Sequence, residues 1–167
     1  MSETAMLEPE VIDLAALVTP DATRLELRGK ILALEAALLA EQERTGTAPP
    51  EIPIRHEFAT GLYAREMTMP VGALVIGKIH KHDHLIIVSK GSVSVMTEDG
   101  LQTFTAPAMQ WYRAGVKRVL FAHEETVWTN LHPTTLTNLE AIEADTVAET
   151  YEQLAGATAQ EALAWHS

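Results

Sequence analysis

The sequence contains no cysteine, which excludes disulfides, thiolate metal sites and a cysteine nucleophile. It has no run approaching the roughly 20 apolar residues that a membrane-spanning helix requires. Its N-terminus carries Glu3, Glu8, Glu10 and Asp13 in place of the basic start and apolar core of a secretory signal. The expectation is a soluble protein of the cytoplasm, or one released by lysis. No basic residue follows Arg118, whereas Glu124, Glu125, Glu140, Glu143, Asp145, Glu149, Glu152 and Glu161 do. With a net charge of −11, such a tail repels phosphate backbones, so nucleic acid is set aside as a partner. There is no glycine-rich phosphate loop, and no Ser-His-Asp arrangement has supporting context.

What is present suits one domain with extensions, since 167 residues are enough for a hydrophobic core without covalent staples. Residues 1–50 read as a helical extension and linker, 51–133 as a β-barrel, and 134–167 as an acidic helical extension. Val11, Leu14, Ala15 and Val18 follow Pro9 at helical spacing and predict a short helix. A second helix is predicted from Thr19 as N-cap, with Pro20 at the first helical position, to Thr45-Gly46. It carries two apolar stripes, Leu27, Ile31, Leu34 and Leu38 on one side and Leu25, Leu32, Ala36 and Leu39 on another. One stripe suits the protein's own barrel and the other a neighbouring subunit, although a single wide core-facing stripe reads equally well.

After the linker Thr47-Ala48-Pro49-Pro50 the texture becomes that of short strands cut by turns, which predicts an all-β sandwich or barrel. Tyr63–Met69 and Ser92–Thr97 alternate, Pro70-Val71-Gly72 turns, and Ala73–Ile79 is apolar. Asp99-Gly100 marks a hairpin, because it supplies the positive φ angles that a tight turn needs. Ala114-Gly115 turns again, and Val116–Phe121 and Thr126–Leu131 form a last pair of strands. Thr137 with Glu140 fits a capping box opening a C-terminal helix, with Leu139, Ile142, Val147, Tyr151 and Leu154 as its apolar contacts. Gly156 is expected to end it, and Gln160–Trp165 to form a short last helix.

The chemistry concentrates between Gly77 and Gly91. His80, His82 and His84 alternate, so a regular strand would aim all three one way, and neutral imidazoles at that spacing suit a divalent transition metal such as Zn, Fe, Ni, Mn or Cu. The competing reading is a hydrated strand-end cluster without metal. His123 and His56 are weaker ligand candidates, and His56 reads better as a structural histidine. Lys78 and Arg118 open another reading. Pointing into a barrel mouth, they would form a cationic pocket for a carboxylate or phosphate. Paired with Glu66, Glu124 or Glu125, they would only fix strands. Trp111, Tyr112, Phe121 and Trp128 suit a core or an interface.

The glycine, the closely spaced histidines, the apolar strand, the next glycine and the later strand-turn unit resemble the cupin superfamily, over about residues 55–132. That resemblance implies a jelly-roll barrel. Registered on Gly91, it puts His84 at the family's metal-binding glutamate, His80 at its second histidine and Lys78 at its first. It sets His82 in the turn. In the second motif Gly115 matches, while Pro107, Arg113, Arg118 and Ala122 stand where Gly, Pro, His and Asn belong. Two of the four usual ligand positions are thus cationic, and a cation aimed at a divalent ion is repelled by it. Lys78-Ile79-His80, Val95–Gly100, Ala114–Arg118 and Thr126-Val127-Trp128 are similar to small cupins commonly encoded in bacteriophage genomes. Two functions follow as expectations. The first is a non-catalytic, homo-oligomeric binding or assembly module, such as a phage structural component that meets other phage structural proteins. The second is a metal-dependent oxygenase- or isomerase-like enzyme acting on a small carboxylate.

Overall fold

Neither Ala73–Ile76 nor Ser92–Thr97 offers a continuous polar face, as a strand covered on one side only would. In the computed structural model, which describes residues 4–5, 13–49 and 51–155, both segments are covered on two sides. Ten strands form two facing antiparallel sheets of a jelly-roll barrel. The first sheet runs β1 (Thr4–Ala5), β4 (Leu74–Ile76), β10 (Val119–Ala122), β7 (Ser92–Thr97) and β8 (Gly100–Thr105). The second runs β2 (Ile54–Ala59), β3 (Leu62–Met69), β11 (Thr126–Pro133), β6 (His84–Lys90) and β9 (Ala108–Tyr112). A small third sheet pairs β5 (Ile79–His80) with β12 (Val147–Ala148).

Alternation sorts the first sheet into two apolar faces. Val75, Val93, Val95 and Leu120 face Met67, Met69, Ile86, Val88 and Trp128 across the barrel. Their neighbours Leu74, Ile76, Met96 and Val119 point the other way, against Leu14 of α1 (Leu14–Leu17) and Leu27, Ile31 and Leu38 of α2 (Arg24–Thr45). The first of the two predicted stripes on α2 is therefore the barrel-facing one. Leu25, Leu32 and Leu39 of the second lie 76%, 40% and 39% exposed.

Several boundaries differ from the sequence reading. Thr19 and Pro20 belong to a turn in which the Ala22 amide donates to the Thr19 carbonyl. The helix starts one turn later, because Thr23 and Glu26 form a complete capping box. Gly46 closes it in the left-handed conformation, with φ 65°. At the C-terminal side the N-cap of α3 (Leu139–Thr146) is Asn138, whose Oδ1 accepts from the Ala141 amide at 3.0 Å; Thr137 does not serve. Strands β2 and β9 are additional to the segments named above, while β8 is the second arm of the hairpin expected at Asp99-Gly100. Residues 6–12, Pro50 and the expected elements at Gly156 and Gln160–Trp165 lie outside the described residues. No helix among the described residues is long and apolar enough to cross a membrane.

Gly91 sits at the β6–β7 turn with φ 81°, and a Cβ built there would fall on the Glu125 carbonyl, well inside contact distance. Both the left-handed backbone and backbone crowding oppose any side chain. Gly91→Ala is expected to cost about 2–3 kcal/mol in urea unfolding, and an unchanged midpoint would show that the turn can rearrange freely.

Candidate functional site

Strand geometry assembles three imidazoles in the barrel interior. Trp128, Asn130 and His132 alternate along β11 and are all buried. His84 opens β6, and His80 ends β5. The ring centroids of His80 and His84 lie 4.2 Å apart, and each lies 5.1 Å from that of His132. The histidine loop is held from two sides. The Gly115 amide donates to the His80 carbonyl at 2.8 Å, and the Ala114 amide donates to Asp83 Oδ1 at 2.7 Å. On the other side, α3 and β12 close over it, with the Lys81 amide donating to the Thr146 carbonyl and Val147 paired with His80.

Arg118 enters this cluster from the segment before β10. It is 2% exposed, and its Nη1 donates to His84 Nε2 at 2.8 Å. Its Nη2 donates to Asn130 Oδ1 at 3.3 Å. The guanidinium lies 4.6 Å above the Tyr112 ring and 5.6 Å from that of Trp128. No carboxylate among the described residues pairs with it. Burial, only partly answered by Tyr112, lowers its pKa to about 10, so it remains charged at neutral pH.

The same burial, reinforced by the Arg118 charge, keeps the histidines neutral. His84 is lowered to about 3 and His132 to about 4, and His80 is pushed well below its ordinary value. His84 Nδ1 lies 3.2 Å from the His82 carbonyl, which only accepts, so Nδ1 carries the proton and Nε2 presents a lone pair to Arg118. His80 Nδ1 is buried without a hydrogen-bond partner. His80, His132 and Arg118 line a cavity of about 640 Å³ together with Tyr63, Arg65, Asn130 and apolar residues such as Met67 and Leu120. Arg65 lies near Glu143 of α3, whose charge acts against the lowering of the arginine's pKa by burial.

A metal ion, which the family resemblance implies, needs ring lone pairs converging on one point. Here both nitrogens of His84 are engaged, one of them by a cation. The three rings also lie nearly face to face, at interplanar angles of 27°, 11° and 25°, which carries their in-plane lone pairs past a common centre. Among the described residues no group of three or more His, Asp or Glu side chains is placed to hold a metal. The residues present do not fit the ion.

The other candidates lie elsewhere. His82 occupies the turn between β5 and β6, where the alternation breaks, and its Nε2 donates to the Asp145 carbonyl at 3.0 Å. Lys78 borders the cavity, but its Nζ meets Glu149 at 2.6 Å, so its charge is already answered. Neither it nor Arg118 uses Glu66, Glu124 or Glu125; Glu66 pairs with Arg55 and Glu125 with Lys90. His123 is hydrogen-bonded to Ser94 Oγ at 2.6 Å, and His56 to the Tyr63 hydroxyl at 2.7 Å. His56 also borders the cavity, whereas His123 does not. Of the aromatics, Tyr112 and Trp128 flank Arg118, whereas Trp111 is 55% exposed beside its cross-strand neighbour Leu85. His132 is absent from the sequence reading, although alternation from Trp128 through Asn130 places it on the inner face.

No protein-family model matches the sequence, and no curated protein matches it. Solved structures similar to it include an acetylacetone dioxygenase from Acinetobacter johnsonii, at 19% identity over 49% of this chain and 59% of that one, with a TM-score of 0.43. A cupin-2 domain-containing protein from Shewanella frigidimarina is 17% identical over 56% and 91% of the two chains, with a TM-score of 0.43. KdgF from a Halomonas species is 17% identical over 51% and 82%, with a TM-score of 0.44. The chain thus spans less than two thirds of the Acinetobacter protein. A cupin is among these similar structures, and each likeness covers about half of this chain.

Proposed function

We propose that this protein is a non-catalytic, oligomeric binding module with a jelly-roll barrel, whose interior cavity takes a small molecule and whose helical extension meets a second copy of the chain. The observation that carries the reading is the Arg118–His84 contact at 2.8 Å. It fills the lone pair that a metal-dependent cupin enzyme would give to its ion, beside a cavity of about 640 Å³ whose wall carries a few polar groups among apolar ones. The exposed Leu25, Leu32 and Leu39 on α2 support the oligomeric part, as helix faces with leucine at seven-residue spacing pair with their like. The phage-particle setting, with other phage structural proteins as partners, is carried by the sequence resemblance alone.

The alternative, a metal-dependent oxygenase- or isomerase-like enzyme acting on a small carboxylate, draws on the closeness of His80, His84 and His132. Metal content decides between them. Untagged protein never exposed to a metal column is expected to carry far less than one transition metal per chain and to scatter light as an oligomer. Near one metal per chain, lost in His80→Ala/His84→Ala, would overturn the binding-module reading in favour of the enzyme.

A further inference from the structure

We propose that Arg118 holds the carboxylate of a small α-oxo or α-hydroxy acid in the barrel cavity, standing as a built-in cation where a cupin enzyme would place a metal ion. The inference deepens the binding-module reading and rests on it.

Three observations specify the ligand. First, a guanidinium offers five N–H donors. Arg118 commits one to His84 Nε2 and one to Asn130 Oδ1, so donors remain for a planar acceptor with two oxygens. A charge this deeply buried without a carboxylate partner among the described residues is costly to desolvate, and an anion in the cavity offsets that cost. Tyr112 and Trp128 hold the guanidinium plane from its flanks. Second, His80 Nδ1 lies buried and unpartnered in a side chain that lines the same cavity. A neutral imidazole nitrogen can donate to a carbonyl or accept from a hydroxyl according to tautomer, which suits an oxygen next to the carboxylate. Third, the other charges deep in the cavity are answered or absent, and Glu51, which also lines it, is exposed to solvent. Lys78 meets Glu149 and Arg65 lies near Glu143, while His84 and His132 are neutral. The uncompensated charge is that of one arginine, matching a monocarboxylate better than a dianion. Met67, Leu120 and Trp128 on the cavity wall suit an apolar tail on the acid.

The test is calorimetric titration of the full chain, treated with a chelator at neutral pH. The probes are phenylpyruvate, its methyl ester, hydrocinnamate and inorganic phosphate. Phenylpyruvate is expected to bind without added metal, with hydrocinnamate weaker because it lacks the α-oxygen, and the ester and phosphate weaker still. Arg118→Lys, which keeps the charge and loses the fork, is expected to raise the Kd by about 30-fold. His80→Phe should abolish the preference of phenylpyruvate over hydrocinnamate. Binding of the ester or phosphate as tightly as the acid, or binding of the acid only after Zn²⁺ is added, overturns this inference and leaves the cavity as a ligand site. No binding by any of the four probes overturns the inference. It extends to the cavity reading if native mass spectrometry also finds no co-purifying small molecule. The acid–ester comparison uses the unmodified protein, so a variant that fails to fold leaves the test intact.

Discussion

Lowering the pH from 7 to 5 is expected to remove about 4 kcal/mol of folding stability through His84 and His132 alone. Both rings are buried, at 3% and 4% exposure, and both are held neutral, with pKa values lowered to about 3 and about 4. Desolvation comes first among the causes, and the Arg118 charge second. In the unfolded chain each titrates near its ordinary value of 6.5. The sign follows from linkage. Below pH 6.5 the unfolded state binds protons that the folded state refuses, so stability is complete above 6.5 and falls steadily until the folded pKa values are reached. Each group contributes about 1.4 kcal/mol per pH unit over that window. His80 acts in the same direction. The Arg118 charge reinforces the effect at all three rings, and Arg65 adds to it at His80 and His132.

The carboxylates held below their ordinary value act in a lower window. Glu26, Glu41, Glu149 and Glu152 are lowered below 4.5, so the stability they hold is lost only at more acidic pH. Urea unfolding at half-unit steps between pH 7 and 5 measures the slope, and His132→Gln should remove close to half of the part due to this pair. A slope unchanged by that substitution would mean that the rings are protonated in the native protein. It would also remove the argument that Arg118 is the cavity's uncompensated cation.

The barrel is legible in the sequence because its signals are local. Alternation in Tyr63–Met69, the Asp99-Gly100 turn and the two stripes of α2 each report a side chain's surroundings within a few residues. The boundary errors have equally local causes. Thr19-Pro20 is a good helix-start pattern, but Thr23 and Glu26 satisfy two backbone donors at once, and the stronger cap prevails. The histidines show where such reasoning stops. Their alternation at 80, 82 and 84 presupposes an unbroken strand, whereas the chain turns at Lys81–Asp83 and carries His82 toward Asp145. His132 is hidden because Pro133 reads as the end of a strand. The fate of Lys78 depends on Glu149, 71 residues away, a pairing that no spacing rule reaches. The same holds for Arg118. Its position in a motif can be read, but its contact with His84 requires the two sheets to be folded.

Glu98→Gln is expected to destabilise the protein by about 2–3 kcal/mol, because it removes a buried anion on which three partly exposed arginines converge. The Glu98 side chain is 5% exposed. It accepts from Arg24 Nη2 at 2.9 Å and from Arg28 Nε at 2.7 Å, and it also pairs with Arg113. Arg24 and Arg28 belong to α2, whereas Glu98 lies in the β7–β8 turn and Arg113 follows β9, so the cluster ties the helix to the barrel. Asp99, at 51% exposure, bridges Arg24 and Arg113 but cannot replace a buried charge. Glutamine keeps the shape and leaves the cations facing one another. The helix then loosens from Leu74, Ile76, Met96 and Val119, the apolar outer face that it covers. The control is Glu125→Gln, whose pair with Lys90 is 56% and 62% exposed and should cost less than about 1 kcal/mol. If the two variants unfold at the same urea concentration, α2 is held by apolar packing alone. Its Lys117–Glu35 pair, in which the lysine is 4% exposed, would then be expected to be equally dispensable.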